Sequence, residues 1–390
     1  MKKINLGIVG IGNIGRDHIK RIVEGKCPEI NLAAVCDLKQ DRLDYARELA
    51  GAELPVFTDA LEMMKSGLID SVLVSVPHYD HPKFAMLAME NGLHVLIEKP
   101  AGVYTKQVVE MNAFAEAHNV KFGIMMNQRT NCIYRKMREI VQSGEMGNIR
   151  RTNWIITNWF RTQFYYDSGA WRATWKGEGG GVLMNQCPHQ LDLLQWICGM
   201  MPSKIRAFCH FGKWHDMETE DDVTAYMEFP NGATGAFITT TADTPGSNRL
   251  EIIGTKGKLL CEKDQLHFFR LEQDCNEWLK TATNGFSEPK YTEEIIEQDH
   301  AKNTQHTGIL NNFANAVLGL EPLYVNGVEG MNCVQLINGM LLSTWKNDMV
   351  TLPVNEDEYL EELEKRIKTS RLKDCEDKLV DNSMSFGGTK

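Results

Sequence analysis

Apolar and polar positions follow two alternating patterns in the first third of this chain. Short, nearly continuous apolar runs occur at INLGIVGI, INLAAVCD, SVLVSV, HVLIEKP and VKFGIMMNQ, and amphipathic stretches with helical spacing separate most of them. Continuously apolar strands that alternate with helices are typical of a parallel sheet covered on both faces. The pattern therefore predicts an α/β fold with a doubly wound parallel sheet over residues 1–128.

The pattern changes after residue 128, where a helix, a polar-aromatic strand and a long loop precede a β-rich segment. Pairs of strands flank the glycine turns PNG and TKG, which are hairpin signals. We expect residues 129–353 to form an α+β domain with an open, largely antiparallel sheet, whose late helix at about residues 329–346 packs back toward the first domain. Residues 354–390 are expected to form a charged surface helix and a frayed tail.

Composition narrows the possible partners and the compartment. The formal net charge of −10 disfavours nucleic acid and anionic membranes, because it repels phosphate. The ten cysteines include no CxxC pair, which favours reduced thiols in a cytoplasmic protein and offers no clustered ligands for a metal. No apolar run reaches the length of a membrane span.

A glycine motif follows the first predicted strand. Gly10, Gly12 and Gly15 have G-x-G-x-x-G spacing. The first glycine permits a tight turn, the second lets a pyrophosphate approach the backbone, and the third lets the next helix pack closely. That helix begins near Asn13 and Ile14, so its first amides are expected to bind phosphate. The segment predicts a dinucleotide site.

Asp37 ends the second strand, about 20 residues beyond the motif, where a carboxylate binds both ribose hydroxyls and repels a 2′-phosphate. NAD is therefore expected as the cofactor, with NADP less favoured, although Lys39 and Arg42 weaken the preference. A second interpretation makes Asp37 the cap of the following helix.

Polar residues also follow the fourth, fifth and sixth strands, whose carboxyl ends line the ligand crevice in such sheets. For His78 and His81 a structural role is an equal alternative, because His81 precedes Pro82 as at a helix start. The expected cofactor contacts are Ser75, Val76, Pro77, His78, His81, Glu98, Lys99 and Asn127, and the expected substrate contacts include Gln128 and Arg129.

The segment GEGGGVLMNQCPHQLDLLQW places Asn185, His189 and Asp192 at spacings of four and three. If it is one helix, the first two lie one turn apart. If Pro188 instead starts the helix, only His189 and Asp192 share a face. We expect Asp192 to pack in the helix rather than to contact substrate. A buried core residue is the alternative interpretation of His189.

Residues 158–179, here called the aromatic loop, are rich in aromatic, amide and charged side chains. Sugar sites combine aromatic faces with a few oriented hydrogen-bonding groups, so this loop is expected to form a lid over a substrate. Its candidate substrate contacts are Arg161, Tyr165, Tyr166, Asp167, Trp171 and Arg172, and His306, near a late helix start, is a candidate for a further wall.

The glycine motif, the tripeptide Glu98-Lys99-Pro100, the glycine-rich histidine segment and the GTKGKL turn together resemble the Gfo/Idh/MocA family of sugar and polyol oxidoreductases, over nearly the whole chain. The resemblance implies a Rossmann domain with a second, open-sheeted α/β domain. It implies that Lys99 stands beside the nicotinamide and the reacting carbon, and that His189 exchanges the substrate's hydroxyl proton. Asn185 occupies the position where the family often has an aspartate that orients this histidine.

The combined expectation is an NAD-dependent oxidoreductase that transfers hydride between nicotinamide and a secondary alcohol carbon of a sugar, glycoside or polyol. An NAD-dependent glycosidase that acts by transient oxidation and elimination is the alternative on the same fold. A non-catalytic NAD-sensing regulator is disfavoured, because a sensor has no need of a proton shuttle. The resemblance also implies a homodimer or homotetramer formed through the open sheet.

Overall fold

A computed structural model of the protein describes residues 2–375 and Lys378. Its first sheet has six strands in the order β3-β2-β1-β4-β5-β6, and all neighbouring pairs are parallel. This is the doubly wound arrangement that the alternating pattern predicts. The strands are β1 (Ile4–Val9), β2 (Ile30–Cys36), β3 (Val56–Phe57), β4 (Ser71–Val74), β5 (His94–Ile97) and β6 (Phe122–Ile124).

Five helices cover both faces of this sheet, which explains why its central strands are apolar throughout. All four residues of β4 are buried, and in β1 only Asn5 is exposed. The helix α4 has Pro82 in its first turn, as the sequence predicts. The helices are α1 (Asn13–Val23), α2 (Gln40–Ala50), α3 (Ala60–Lys65), α4 (His81–Glu90) and α5 (Thr105–Glu116), with 3-10 turns at His78–Asp80 and Asn127–Thr130.

The second sheet has nine strands in the order β14-β13-β12-β11-β7-β10-β9-β8-β15. Both predicted hairpins, β9–β10 and β11–β12, are antiparallel, and the one parallel pair is β7–β10. Parallel neighbours need a long crossover, and the connection here between β7 and β10 contains helices together with the strands β8 and β9. The strands are β7 (Ile149–Ile156), β8 (Lys204–Phe211), β9 (Glu220–Glu228), β10 (Thr234–Thr240), β11 (Asn248–Gly254), β12 (Gly257–Glu262), β13 (Gln265–Leu271), β14 (Tyr291–Glu297) and β15 (Val350–Thr351).

Helices cover one face of the second sheet, and the late helix α12 joins it to the first half. α6 and α12 contact the sheet, and α9 packs against both. Asn338 of α12 accepts the backbone amide of Thr105 and donates to the carbonyl of Val103, both at 3.0 Å. The helices are α6 (Cys132–Gln142), α7 (Gln163–Tyr166), α8 (Val182–Asn185), α9 (Pro188–Cys198), α10 (Cys275–Thr281), α11 (Gln305–Val317), α12 (Gly330–Lys346) and α13 (Glu356–Thr369), with 3-10 turns at His300–Lys302 and Gly327–Glu329.

The predicted charged helix near the C-terminus is α13, which starts after a side-chain cap by Asn355. It buries Tyr359 and Leu363, so it is anchored to the core rather than lying free on the surface. The predicted frayed tail falls mostly on residues 379–390, outside the described residues. Within the described residues, no helix is long and apolar enough to cross a membrane.

Candidate active site

A cavity of about 1190 Å³ runs from the glycine motif, past the ends of β4 and β5, to the aromatic loop. It brings together side chains from segments that are far apart in sequence, as a crevice at strand carboxyl ends does. The predicted site residues that line it are Gly10, Gly12, Asn13, Ile14, Asp37, Ser75, Val76, Pro77, His78, His81, Glu98, Lys99, Asn127, Gln128, Arg161, Tyr165, Trp171, Arg172, Asn185, His189 and His306.

Three predicted substrate contacts, Arg129, Tyr166 and Asp167, point elsewhere, and these predictions are wrong. Arg129 is 1% exposed, and its guanidinium pairs with Asp192 and Glu329 instead of lining the cavity. Tyr166 is buried, and its hydroxyl donates to Thr241 Oγ1 at 2.8 Å. Asp167 Oδ1 accepts hydrogen bonds from Gln163 Nε2 at 3.1 Å and from Lys373 Nζ at 2.9 Å. All three residues lie beside cavity-lining residues in sequence, but their side chains point in other directions.

The glycine motif fits a diphosphate. A Cβ atom on Gly10 would lie 2.4 Å from the Ser75 carbonyl oxygen, and one on Gly15 would lie 2.1 Å from the Gly10 carbonyl oxygen. Close packing against the backbone therefore requires glycine at both positions. A Cβ on Gly12 would meet nothing within 4 Å, so this glycine borders open space. The first turn of α1 has neither a side-chain cap nor an acidic residue. Its amides are therefore left for an anion.

Asp37 lines the same end of the cavity, with both carboxylate oxygens anchored. Oδ2 accepts the Ile11 amide at 2.7 Å, and Oδ1 accepts the Lys39 amide at 3.0 Å. Arg42 Nη1 lies 3.4 Å from Oδ2. The capping interpretation is wrong, since the N-cap of α2 is Lys39 and has no side-chain bond. Fixed in this way, the carboxylate is placed to accept hydrogen bonds from the ribose hydroxyls of a dinucleotide and would repel a 2′-phosphate.

Lys99 enters the cavity from the end of β5, where the Lys99-Pro100 peptide bond is cis. Its Nζ donates to the backbone carbonyl of Asn185 at 2.8 Å. Burial lowers the pKa of Lys99 below its usual value, against the opposing charges of Glu98 and Glu178. The amine is thereby brought closer to a value at which it can exchange a proton near neutral pH.

His189 lies on α9, which begins at Pro188 after the separate short helix α8. The second of the two sequence interpretations therefore holds. Within the described structure, His189 Nδ1 is buried and has no hydrogen-bond partner. Burial, with the charges of Lys99 and His306, holds the pKa of His189 well below its usual range, so the imidazole is neutral.

Glu178 is a site residue that the sequence reasoning missed. This side chain is 2% exposed; one carboxylate oxygen accepts the Asn185 side-chain amide, and the other accepts the Ala173 amide at 2.6 Å. Burial raises the pKa of Glu178, yet both oxygens act as acceptors, as in an ionised carboxylate. Asn185 thus contacts Glu178 with its side chain and Lys99 with its backbone. The sequence signal that could have indicated this role is a single acidic residue within a run of glycines.

His18, the buried partner of the predicted cofactor contact Glu98, was also missed. His18 Nε2 lies 2.7 Å from Glu98 Oε1, and Glu98 Oε2 accepts the Lys99 amide at 3.2 Å. Burial alone would raise the pKa of Glu98, but the hydrogen bond and charge of His18 outweigh it and bring the value to about 2. The ring of His306 lies 5.7 Å from that of His18. The carboxylate therefore anchors the backbone that carries Lys99.

The two histidines after β4 serve mainly to build the wall. The ring nitrogens of His81 lie 2.7 Å from the Pro100 carbonyl oxygen and 2.8 Å from that of Val76. His78 Nδ1 lies 3.3 Å from the Glu178 carbonyl oxygen, and its ring meets Trp171 edge-on at 5.8 Å. His81 therefore has the structural role, whereas His78 connects the cofactor wall to the aromatic loop.

The aromatic loop supplies the wall opposite the glycine motif. Arg172 Nη1 donates to the Tyr165 hydroxyl at 3.0 Å, and its guanidinium lies 4.6 Å from the centre of that ring. Arg161 lies 5.2 Å from the same ring, and Gln186 Nε2 donates to the same hydroxyl at 3.3 Å. The wall thus offers flat faces and fixed donors. Among the described residues, no group of three or more His, Cys, Asp or Glu side chains could hold a metal ion.

Two family models match the chain. One, described as an oxidoreductase family with an NAD-binding Rossmann fold, covers residues 4–126. The other, described as the GFO/IDH/MocA C-terminal domain, covers residues 134–260.

Curated relatives and solved structures agree with these matches. The rhizopine catabolism protein MocA of Rhizobium meliloti is 28% identical over 53% of this chain, a match that spans 61% of that protein and so less than two thirds of its length. The myo-inositol 2-dehydrogenase of Thermotoga maritima is 23% identical over 66% of this chain and 75% of its own.

The structure of the WlbA dehydrogenase of Bordetella pertussis, in complex with NADH and UDP-GlcNAcA, has a TM-score of 0.75 and 24% identity. It covers 91% of this chain and 100% of its own, and it shows the shared fold. The two matched family models, together with the dinucleotide site, show that the chain belongs to the Gfo/Idh/MocA family of NAD-binding oxidoreductases.

Proposed function

We propose that this protein is an NAD-dependent dehydrogenase that acts on a secondary alcohol carbon of a sugar, glycoside or polyol. The observation that carries the proposal is that Lys99, which follows a strand of the first sheet, and His189, on a helix of the second part of the fold, line the cavity that also contains the glycine motif. The nicotinamide, when bound, accepts or gives the hydride. Gly12, the first turn of α1 and Asp37 would hold the dinucleotide.

In the oxidation direction, Lys99 takes the hydroxyl proton of the substrate. Its lowered pKa permits this transfer, and the carbonyl of Asn185 holds Nζ in place. The neutral imidazole of His189 offers a second group to bind that hydroxyl or to receive its proton. The faces and donors of the aromatic loop bind the rest of the substrate and exclude water.

The substrate class rests on this wall and on the relatives. A sugar or cyclitol presents flat C–H faces and a ring of hydroxyls, which match aromatic rings and guanidinium donors. One relative is named as a myo-inositol dehydrogenase, and the structural neighbour was solved with UDP-GlcNAcA, so both names concern hydroxylated rings. We propose the cytoplasm as the location, because the cysteine usage suits a reducing compartment.

We also propose that the open sheet pairs two copies into a homodimer or homotetramer. Its uncovered face exposes Ile155, Phe208 and Tyr226. These side chains come from β7, β8 and β9, which lie within the four successive strands β7-β10-β9-β8 of one sheet, so their apolar surface is suited to a second copy.

The function is tested by incubating the protein with NAD and, separately, inositols, hexoses and aryl glucosides. We expect the absorbance of reduced nicotinamide to rise with at least one of them. No change with any member of the panel would count against the proposal. Release of nitrophenol from nitrophenyl glucosides without net NADH would instead support a glycosidase that oxidises its substrate transiently.

The charge of Glu178 gives a prediction about pH. Oxidation needs unprotonated Lys99, so its rate rises with pH through the pKa of that amine. The Glu178 carboxylate stabilises the ammonium form. Glu178→Gln should therefore lower this pKa and move the acidic limb of the kcat/KM profile to lower pH, by about one unit.

The matched control for this variant is Glu262→Gln, which removes a partly exposed carboxylate at the end of β12 and should leave the profile in place. A rate that falls at every pH without displacement of the limb would show that Glu178 only supports the loop.

A further inference from the structure

The chain that follows α13 runs across the aromatic loop instead of leaving the molecule. We call residues 370–375 the C-terminal strap. The Lys373 amide donates to the Ala170 carbonyl at 2.9 Å, and Lys373 Nζ donates to the Tyr166 carbonyl and to Asp167 Oδ1, both at 2.9 Å. Just beyond the strap, the Lys378 amide donates to the Ser168 carbonyl at 2.8 Å.

A second set of bonds fixes the other end of the loop through Glu218. This carboxylate accepts the Trp175 amide at 3.2 Å, the Ser370 hydroxyl at 2.5 Å and the Arg371 amide at 2.9 Å. Ser370 Oγ in turn accepts the Lys176 amide at 3.0 Å. The strap is therefore bonded to both arms of the aromatic loop, and it joins them to the start of β9.

Little regular structure lies within the loop, so contacts from outside it, including those of the strap, fix its position. Its one helix, α7, has four residues, and Ala173 adopts a positive φ of 57°. The cavity-lining residues Trp171 and Arg172 lie between points at which the strap is attached, and Tyr165 directly precedes the first of these points. Lys378 itself reaches the cavity wall. The position of the substrate wall is thus set partly by a segment about 200 residues away in sequence.

We propose that the C-terminal strap is a positioning element of the substrate site, which holds the aromatic loop over the reacting end of the cavity. The glycine motif and Asp37 lie at the other end, and none of the strap's described bonds reaches them. The strap therefore controls the affinity and selectivity for substrate and leaves cofactor binding unchanged. Only the kinetic part of this proposal rests on the proposed function.

The test compares the full chain with a variant that ends at Thr369. Hydrogen–deuterium exchange over residues 163–176 should become faster by about tenfold, because the Lys176 amide and the loop's acceptors lose their partners. The Kd for NADH should not change. KM should rise about tenfold for the sugar that the oxidation assay identifies. If the loop occupies its binding position in only about a tenth of the molecules, the apparent affinity for substrate falls by the same factor.

A single substitution guards against misfolding of the shortened chain. Lys373→Met removes only the bonds from Nζ and should raise exchange and KM in the same direction by a smaller factor. Lys365→Met, on the exposed side of α13, is its control and should change neither. Unchanged exchange over residues 163–176 in the truncated variant overturns the proposal. Faster exchange with no sugar oxidised supports the strap and contradicts only the proposed reaction.

Discussion

Lys99→Met is expected to lower kcat by about a hundredfold to ten-thousandfold, the range for loss of a principal acid–base group. Methionine keeps most of the side-chain volume but can neither take the substrate proton nor bond to the Asn185 carbonyl. The Kd for NADH should stay close to that of the unchanged protein, since the glycine motif and Asp37 are untouched. Steady-state rates and NADH fluorescence titrations measure the two quantities.

The control for this variant is Lys204→Met, at an exposed position on the second sheet, which should retain full activity. If Lys99→Met turned over normally, the proton would have to leave through another group. His189 would then be the next candidate among the described residues that line the cavity.

Arg129→Met is expected to lower the free energy of unfolding by about 3–5 kcal/mol, the cost of leaving a buried ion pair without one partner. Arg129 Nε and Nη2 contact the two oxygens of Asp192 at 2.7 and 2.6 Å, and Nη1 contacts Glu329 at 2.7 Å. Asp192 is almost fully buried, so the substitution leaves its carboxylate without a counter-charge. Urea-induced unfolding followed by circular dichroism measures the loss.

Arg249→Met is the matched control, because it breaks an ion pair with Glu262 whose two side chains are more than a third exposed. Such pairs contribute about 0–1 kcal/mol. The double variant Arg129→Met/Asp192→Leu should recover part of the stability, since it removes the uncompensated charge. A loss in Arg129→Met no larger than in the control would contradict this account of the buried pair.

The first half of the chain could be predicted because its information is local. Continuous apolar runs specify buried parallel strands, and the glycine spacing specifies a turn and helix start within a single segment. The positions of Lys99 and His189 at the cavity also follow from local motifs. Whether α9 begins at Pro188 was left open, because a proline both starts and breaks helices and periodicity does not distinguish the two.

Partners that are distant in sequence could not be predicted. Arg129 turns inward because Asp192, 63 positions later, supplies its counter-charge, and no spacing rule connects them. Glu178 was overlooked because its partners are two backbone or amide donors from other turns. The strap was not predicted, because its residues fell within the charged surface helix and frayed tail expected over residues 354–390, and polar sequence does not reveal whether hydrogen bonds to a loop will form.

The Lys99–Asn185 hydrogen bond joins the two halves of the molecule at the point of chemistry. Its donor follows a strand of the first sheet, and its acceptor ends a short helix that packs on the second. Any hinge movement that separates the halves pulls this donor from its acceptor. If the reacted dinucleotide is exchanged through such a movement, the Lys99 amine loses its acceptor while the site is open. An open enzyme without cofactor is therefore not expected to deprotonate alcohols from the solvent.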